Sequence, residues 1–539
     1  AEFSDKIVLF SNQGESYTGT LCGQKGSTAE AYAKQMGYRF EALEDVDPSL
    51  IAPENACGDN AVWTLDENGT LTISGTGDMD NYYRGPYFNP YFNPSTVAPQ
   101  EEHSSACPAP WGDQIKKVVI EDGITSIGSG AFLNCKLLES VEMADSVTKI
   151  GANAFDNCTG LESVQLSEHI TEIGMSAFQN TAFRELTLPK DLKRIAQSAF
   201  QSSNNLKAIV IPEGTESIDS QAFRYCRSLA AVTLPDSLTN VGNNAFDSTK
   251  WLDSKTDTFV IENGILLKTN TEQISKSLRD GSLTEFTFPE GIRVIGGGAL
   301  DRAFYDSGYL YNNNPALTIK LPEGVQYINE FAFCWNTGIA KVEMPSTLKE
   351  IGNSAFFNSF CIREVVFNDG LEAIGSSAFE NSEMLTDVTL PKTLRSIDYE
   401  AFGGCENLLS VTLLNPETKI YDAPNTFANP KILGDPNSYT GVIRGYENST
   451  AEKYAKRFDR RFESLGTAPA ASDKGLGDIT CDNSIDVSDA VLLARFLNAD
   501  SEASITDQGL ANADCNKDGK TDGADLSDLL RYIAKKITF

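Results

Sequence analysis

The sequence predicts a repeat solenoid: a right-handed coil of about twelve units with a parallel β-sheet, followed by a small helical module built on two acidic loops. Three observations carry this reading. A 23-residue pattern recurs from Ile115 onward. A segment near the end of the coil reappears near the start of the chain. Two loops rich in side-chain oxygens stand 36 residues apart at the C-terminus. Regular self-similarity at such a period is the signature of stacked coils in which each unit touches only its neighbours.

The units open at Ile115, Leu138, Leu161, Phe183, Leu206, Leu229, Leu283, Ala316, Ile339, Ile362, Leu385 and Leu408. The steps are 22 or 23 residues except for two, of 54 and 33, which read as loop insertions. Inside a unit, apolar residues such as Val141 and Met143 alternate with polar ones, the mark of a short strand with one buried face. A proline often follows (Pro189, Pro212, Pro235) and ends the strand, having no N–H for the ladder. Then come an isoleucine and an Ala-Phe pair. Phe132, Phe155, Phe178, Phe200, Phe223, Phe246, Phe333, Phe356, Phe379 and Phe402 are expected to stack as a core spine, with the neighbouring alanine leaving room for each ring. Cys135, Cys158, Cys226 and Cys405 share one repeat position and are expected to be buried thiols packing as small hydrophobes.

Composition narrows the function. The chain has 539 residues, 75 acidic and 44 basic, for a net charge of −31. That length exceeds one compact core. The charge argues against nucleic acid and anionic membrane, and permits calcium. Two histidines, His103 and His169, leave little scope for imidazole chemistry. His103 and Cys107 lack an orienting third group. The first residues do not read as a signal peptide, which leaves a mature, truncated or intracellular chain. The aromatic stretch Asn81–Pro94 suits either a partner surface or, preferably, the cover of the first coil's open edge.

The expected boundaries are 1–48 for a β-α cap module, 57–114 for a β-hairpin cap and aromatic loop, and 115–440 for the solenoid. A C-terminal cap helix at 441–465, a linker at 466–476 and a terminal module at 477–539 follow. Residues 438–465 align without gaps with residues 16–43, 16 of 28 positions being identical. Each copy holds Ser-Thr-Ala-Glu, a capping box on Ser449 and Glu452 or on Ser27 and Glu30. The first copy is expected to be the end of an upstream repeat array, so that the chain reads as a fragment of a longer protein.

In the terminal module, one loop offers Asp478, Thr480, Asp482, Asp486 and Asp489 with the carbonyl of Ser484. The other offers Asp514, Asn516, Asp518, Asp522 and Asp525 with the carbonyl of Lys520. Oxygens at positions 1, 3, 5, 7, 9 and 12 are what a calcium ion requires, so two Ca2+ are expected. Asn483 and Gly519 stand where the loop must turn sharply. Helices are expected over 487–497 and 524–533.

Two resemblances attach to these motifs. "SVTKIGANAFDNCTGLESVQL" (Ser146–Leu166) is similar to the BspA-like leucine-rich repeats of bacterial surface proteins, a resemblance covering about residues 57–465. "CGDNAVWTLDENGTLTISGTGDM" (Cys57–Met79) resembles the β-hairpin that precedes such repeats. The loop-helix pair without an entering helix resembles the dockerin module of cellulosome proteins, over about residues 474–539. Thr480 departs from the Asp or Asn usual in that family at its position. The dockerin resemblance implies a cohesin module of a scaffoldin as partner. Carried over residue by residue, it implies contacts from Val487, Ser488, Leu492 and Arg495, and from Gly523, Ala524, Leu530 and Arg531. Leu492 and Leu530 suit the module's core equally well. Together the resemblances imply a secreted or cell-surface, non-catalytic component that docks through its dockerin and presents a leucine-rich recognition surface to a protein or glycan. The alternatives are a fragment of a cellulosomal hydrolase or peptidase with its catalytic domain upstream, and an adhesin binding glycan or host surface.

Overall fold

A computed structural model describes residues 11–12, 15–16, 20–23, 30–31, 33–34, 37–42, 55–82, 108–270, 274, 285–305, 317–429, 437–468, 477–481, 485–498, 500, 503–515 and 520–536. The chain divides into Ala1–Glu463 and Ser464–Phe539.

The larger unit is a solenoid of about 14 turns with little helix. The hairpin Asn60–Leu65 and Thr70–Asp78 begins it, with Trp63 opposite Ile73. Its turn is closed by the Asp66 carboxylate, which accepts from the N–H groups of Asn68 and Thr70 at 2.9 and 2.8 Å. The second hairpin strand then pairs in parallel with both Lys117–Ile120 and Ile124–Ile127.

That branching starts two ladders, where the repeat pattern predicts a single sheet. The first ladder contains the expected strands, such as Ser140–Met143 and Ser163–Gln165. The second is made of two-residue strands, Lys149–Ile150, Glu172–Ile173 and Arg194–Ile195, which stack the repeat isoleucines in register. Two residues are too few to show an alternating pattern, so these strands are invisible to periodicity.

The first ladder is also interrupted. Arg184–Leu188 forms no strand. The turn leading into it, Thr181-Ala-Phe183, is one residue shorter than Cys158-Thr-Gly-Leu161 in the preceding unit. A strand delivered one residue early cannot meet both neighbours in register.

The ring spine forms as expected. Phe132, Phe155, Phe178, Phe200 and Phe223 are fully buried. Phe155 and Phe178 lie 5.1 Å apart and 1° from parallel, and Phe356 and Phe379 are 5.0 Å apart at 4°. Trp111 covers the first end, stacking on Phe132 at 5.5 Å and donating its ring N–H to the Ala131 carbonyl. Tyr82 packs on Trp111, as the edge-cover reading requires; the rest of the aromatic stretch, with His103 and Cys107, lies outside the described residues.

The spine breaks where Leu300 replaces a phenylalanine. There the core divides into two clusters. The 54-residue step contains a short helix, Lys250–Asp253, whose Trp251 covers Phe246, and a hairpin, Phe259–Glu262 and Ile265–Thr269. Asn263-Gly264, both at positive φ, makes the hairpin turn. The next coil is thin. A Cβ on Gly297 would lie 2.4 Å from the Asn243 nitrogen. Past it, the Asn329 side chain accepts from the Val241 N–H at 2.9 Å and donates to the Thr239 carbonyl at 3.1 Å. Glu330 likewise accepts from the Asn243 N–H at 2.9 Å and from the Ser220 hydroxyl.

At the far end, Val442–Gly445 pairs in parallel with Ser410–Leu413, and Thr450–Arg457 is the predicted cap helix. Ser449 caps it, accepting from the Glu452 N–H, while the Glu452 carboxylate accepts from the Asn448 N–H.

Candidate metal centre and partner face

Three helices build the terminal unit: Val487–Leu497, Asp507–Ala513 and Gly523–Lys536. The first and third are the expected ones. The middle helix was not expected, although its N-cap Thr506, which accepts from the Gly509 N–H at 3.0 Å, is a readable start signal. The core is small, with Ile479, Ala490, Leu493, Ala513, Leu529 and Ile533 buried together.

The loops are anchored by their last carboxylates. Asp489 is fully buried. One of its oxygens accepts from the N–H groups of Ile479 and Thr480, at 2.8 and 2.9 Å, and from the Thr480 hydroxyl at 3.0 Å. The other accepts from the Asp486 N–H at 2.9 Å. Asp486 caps the helix through the Ser488 N–H at 2.7 Å, and that bond, with the one from the Ser488 hydroxyl, holds its carboxyl below the usual range. The second loop repeats the design. Asp525 is fully buried and accepts from the Asp522 N–H, and Asp522 accepts from the Ala524 N–H.

Burial pushes the Cys515 thiol up to about 11, and the nearby charges of Asp525, Asp528, Asp514 and Asp489 add to the effect. Asp478 is also buried, and its carbonyl accepts from the Asn512 side chain.

Of the expected ligands, Asp478, Thr480, Asp486, Asp489, Asp514, Lys520, Asp522 and Asp525 are described. Asp482, Ser484, Asn516 and Asp518 lie outside the described residues. Among the described residues no three acids, histidines or cysteines converge as a metal-holding group. The donor set nevertheless fits a hard cation: three carboxylates buried in a module with a six-residue core require a compensating charge.

The expected partner residues divide. Val487 is 55% exposed and Leu530 49%, and Ser488, Arg495, Gly523, Ala524 and Arg531 are exposed as well. Leu492 is instead partly buried against the core. Val491, 52% exposed and one turn beyond Val487, lies on the same helix face. The i, i+4 spacing from Val487 is the signal that finds it.

On the solenoid, the outward strand positions are polar or small, Val210 being an exposed exception. His169 is a surface residue, its Nδ1 2.9 Å from Asp191. Cys226, Cys334, Cys361 and Cys405 are buried free thiols, and among the described residues no helix is long and apolar enough to cross a membrane.

The chain matches the family model for the BspA type leucine-rich repeat region, in six copies, over residues 125–253, 193–310 and 306–433. It matches the dockerin type I domain over residues 476–534. Similar solved structures include a leucine-rich repeat protein from Bacteroides ovatus, 19% identical over 76% of this chain and 99% of that one, with a TM-score of 0.26. A leucine-rich cell surface protein from Faecalibacterium prausnitzii is 22% identical over 75% and 98%, at 0.28. The pneumococcal vaccine antigen PcpA is 16% identical over 78% and 98%, at 0.29. No curated protein matches the chain.

Proposed function

We propose, for a chain that belongs to the BspA-type leucine-rich repeat family, that it is a non-catalytic, extracellular binding component held in a larger complex by its dockerin. The observation that carries this reading is the pair of loop-helix units whose last acids, Asp489 and Asp525, are both fully buried. Dockerin type I domains bind calcium and dock on cohesin. Two calcium ions are proposed here. Asp478, Thr480, Asp482, Asp486, Asp489 and the Ser484 carbonyl would hold one. Asp514, Asn516, Asp518, Asp522, Asp525 and the Lys520 carbonyl would hold the other. When bound, calcium neutralises the loop carboxylates and fixes the start of each helix.

The cohesin-facing surface is proposed as Val487, Ser488, Val491 and Arg495 on one helix, and Gly523, Ala524, Leu530 and Arg531 on the other. The two faces differ chemically, aliphatic with a hydroxyl against small residues with one leucine, so one orientation is favoured. The solenoid then presents a protein-recognition surface to the surroundings.

The test is calorimetric titration of the full chain with a panel of isolated cohesins, with calcium and with excess chelator. Binding to at least one cohesin that disappears with chelator is expected. Full-affinity binding in chelator would overturn the assignment.

A further inference from the structure

The described residues of the segment 16–43 share backbone features with the solenoid's own C-terminal closure. Its strands Thr20–Gly23 and Arg39–Ala42 pair in parallel. Shifted by the 422-residue offset of the alignment, they coincide end for end with Val442–Gly445 and Arg461–Ser464, which neighbour one another in the C-terminal sheet. Between the strands, the Tyr38 N–H donates to the Ala33 carbonyl at 2.8 Å, and the Arg460 N–H donates to the Ala455 carbonyl at 2.8 Å. Ala33 and Ala455 are both fully buried. Gly37 and Asp459, at equivalent positions, both have positive φ, 72° and 52°.

Several residues shared by the two copies touch the last coil in the C-terminal one. The Ser438 carbonyl accepts from the Asn429 N–H, and the Thr440 N–H donates to the Asn429 side chain. A Cβ on Gly441 would lie 2.7 Å from the Leu409 carbonyl oxygen. The Tyr454 ring meets Phe427, the end of the spine, at 5.5 Å, and its hydroxyl donates to the Ala423 carbonyl at 2.8 Å. The first copy has Ser16, Tyr17, Thr18 and Gly19 for the run Ser438–Gly441, and Tyr32 for Tyr454. The copies differ at exposed positions such as Lys453 and Arg457, replaced by Ala31 and Gln35, and at the buried strand positions Val442 and Ile443, replaced by Thr20 and Leu21.

In the C-terminal copy, the strand edge away from Arg461–Ser464 is taken by Ser410–Leu413 of the last coil. Among the described residues, Thr20–Gly23 pairs with Arg39–Ala42 alone. We infer that residues 16–43 are a second solenoid-closing cap, and that the free edge of Thr20–Gly23 is a docking site for the terminal coil of a leucine-rich repeat array of this chain's own kind. The recognition is that of the C-terminal cap: parallel main-chain pairing along one strand edge.

The competing account is a β-α module whose surface is not adapted to a coil. Two full-length chimeras separate the accounts. One replaces residues 438–465 with the sequence of residues 16–43. The other replaces only Val442–Gly445 with Thr-Leu-Cys-Gly. With calcium present to hold the terminal module, both are expected to keep the solenoid's unfolding midpoint within about 3 °C of the parent, the shift that one to two kcal/mol produces in a unit of several hundred residues. A control chimera with residues 16–43 in scrambled order should expose the spine end and bind an apolar dye. A larger loss of midpoint in either unscrambled chimera, or dye binding equal to the control, overturns the inference.

Discussion

The Cys158 thiol donates to the carbonyl oxygen of Phe132, across 3.0 Å, on the preceding coil. The relationship recurs from Cys226 to Phe200 at 3.1 Å and from Cys405 to Phe379 at 3.3 Å. Ser203 and Ser359 make the same bond to Phe178 and Phe333. In these five coils the position three residues after the spine ring is a small donor that satisfies a buried carbonyl, and the thiols do more than fill space. Cys158→Ser is expected to change stability by less than about 1 kcal/mol, and Cys158→Val to cost about 1–3 kcal/mol by leaving the carbonyl unpaired. Ser382 occupies the same position with its hydroxyl buried and unpartnered, so Ser382→Ala should be close to neutral. Urea unfolding of the three variants checks both statements.

Burial pushes the thiols of Cys226 and Cys405 up to about 12. At pH 8 the thiolate fraction of such a group is of order 10⁻⁴, and the thiolate is the reactive form. These cysteines should stay silent toward a disulfide reagent until the solenoid unfolds, whereas exposed Cys481 should react at once. Rapid labelling of Cys226 in the native chain, read by mass spectrometry, would show that its coil is open.

Phe178 lies between Phe155 at 5.1 Å and Phe200 at 5.6 Å and has no exposed surface. Phe178→Ala removes both stacking faces and leaves a cavity, which should cost about 3–5 kcal/mol. Chemical denaturation measures it. A loss below about 1 kcal/mol would mean the spine relaxes around the gap.

Asp156, half-buried after its spine ring, has its carboxyl pushed up to about 7 by burial. Its folded pKa lies above the unfolded one. The folded chain therefore holds a proton between about pH 4 and pH 7 that the unfolded chain has lost, and stability from this group falls as pH rises through that window. Burial also raises Glu330, which bridges the two halves of the core to Asn243 and Ser220. Asp156→Asn should stabilise by roughly 1–3 kcal/mol at pH 8 and by almost nothing at pH 4. Thermal melts across that range test the sign.

The spine was legible because its period is long and its residue type fixed: each Ala-Phe pair repeats a volume requirement. The second ladder was not, since Lys149–Ile150 is too short to carry a pattern. The break at Arg184–Leu188 was visible as a 22-residue step, but its effect on strand register needed the neighbouring coils. The hairpin at Phe259–Thr269 had its Asn-Gly signal in plain view inside what read as a loop insertion. In the terminal module, the proposed ligand positions rest on spacing alone. The partner face does not, because Leu492 and Leu530 look alike until the helix is packed: one turns toward the core, the other away.

Residues 466–539 carry 13 acidic and seven basic side chains. The acids concentrate in the two loops, and among the described residues the core beneath them has six buried apolar residues. That core is too small to outweigh the mutual repulsion of the carboxylates, so calcium binding should supply much of this unit's folding free energy. Chelator is expected to loosen the helices Val487–Leu497 and Gly523–Lys536 while the solenoid's unfolding transition stays in place. The second loop has Asn516 where the first has Thr480, and Gly519 at the sharp turn where the first has Asn483. It should bind the tighter ion, having the better oxygen donor and the less strained backbone. Asp525→Ala removes a buried anchor and a ligand together and should abolish cohesin binding, as should Asp514→Ala, while Asp478→Ala should weaken it less. Calcium titration of the full chain followed by hydrogen exchange separates the two loops. Equal occupancy midpoints would cancel the ranking, and helices protected equally with and without calcium would show that the small core suffices by itself.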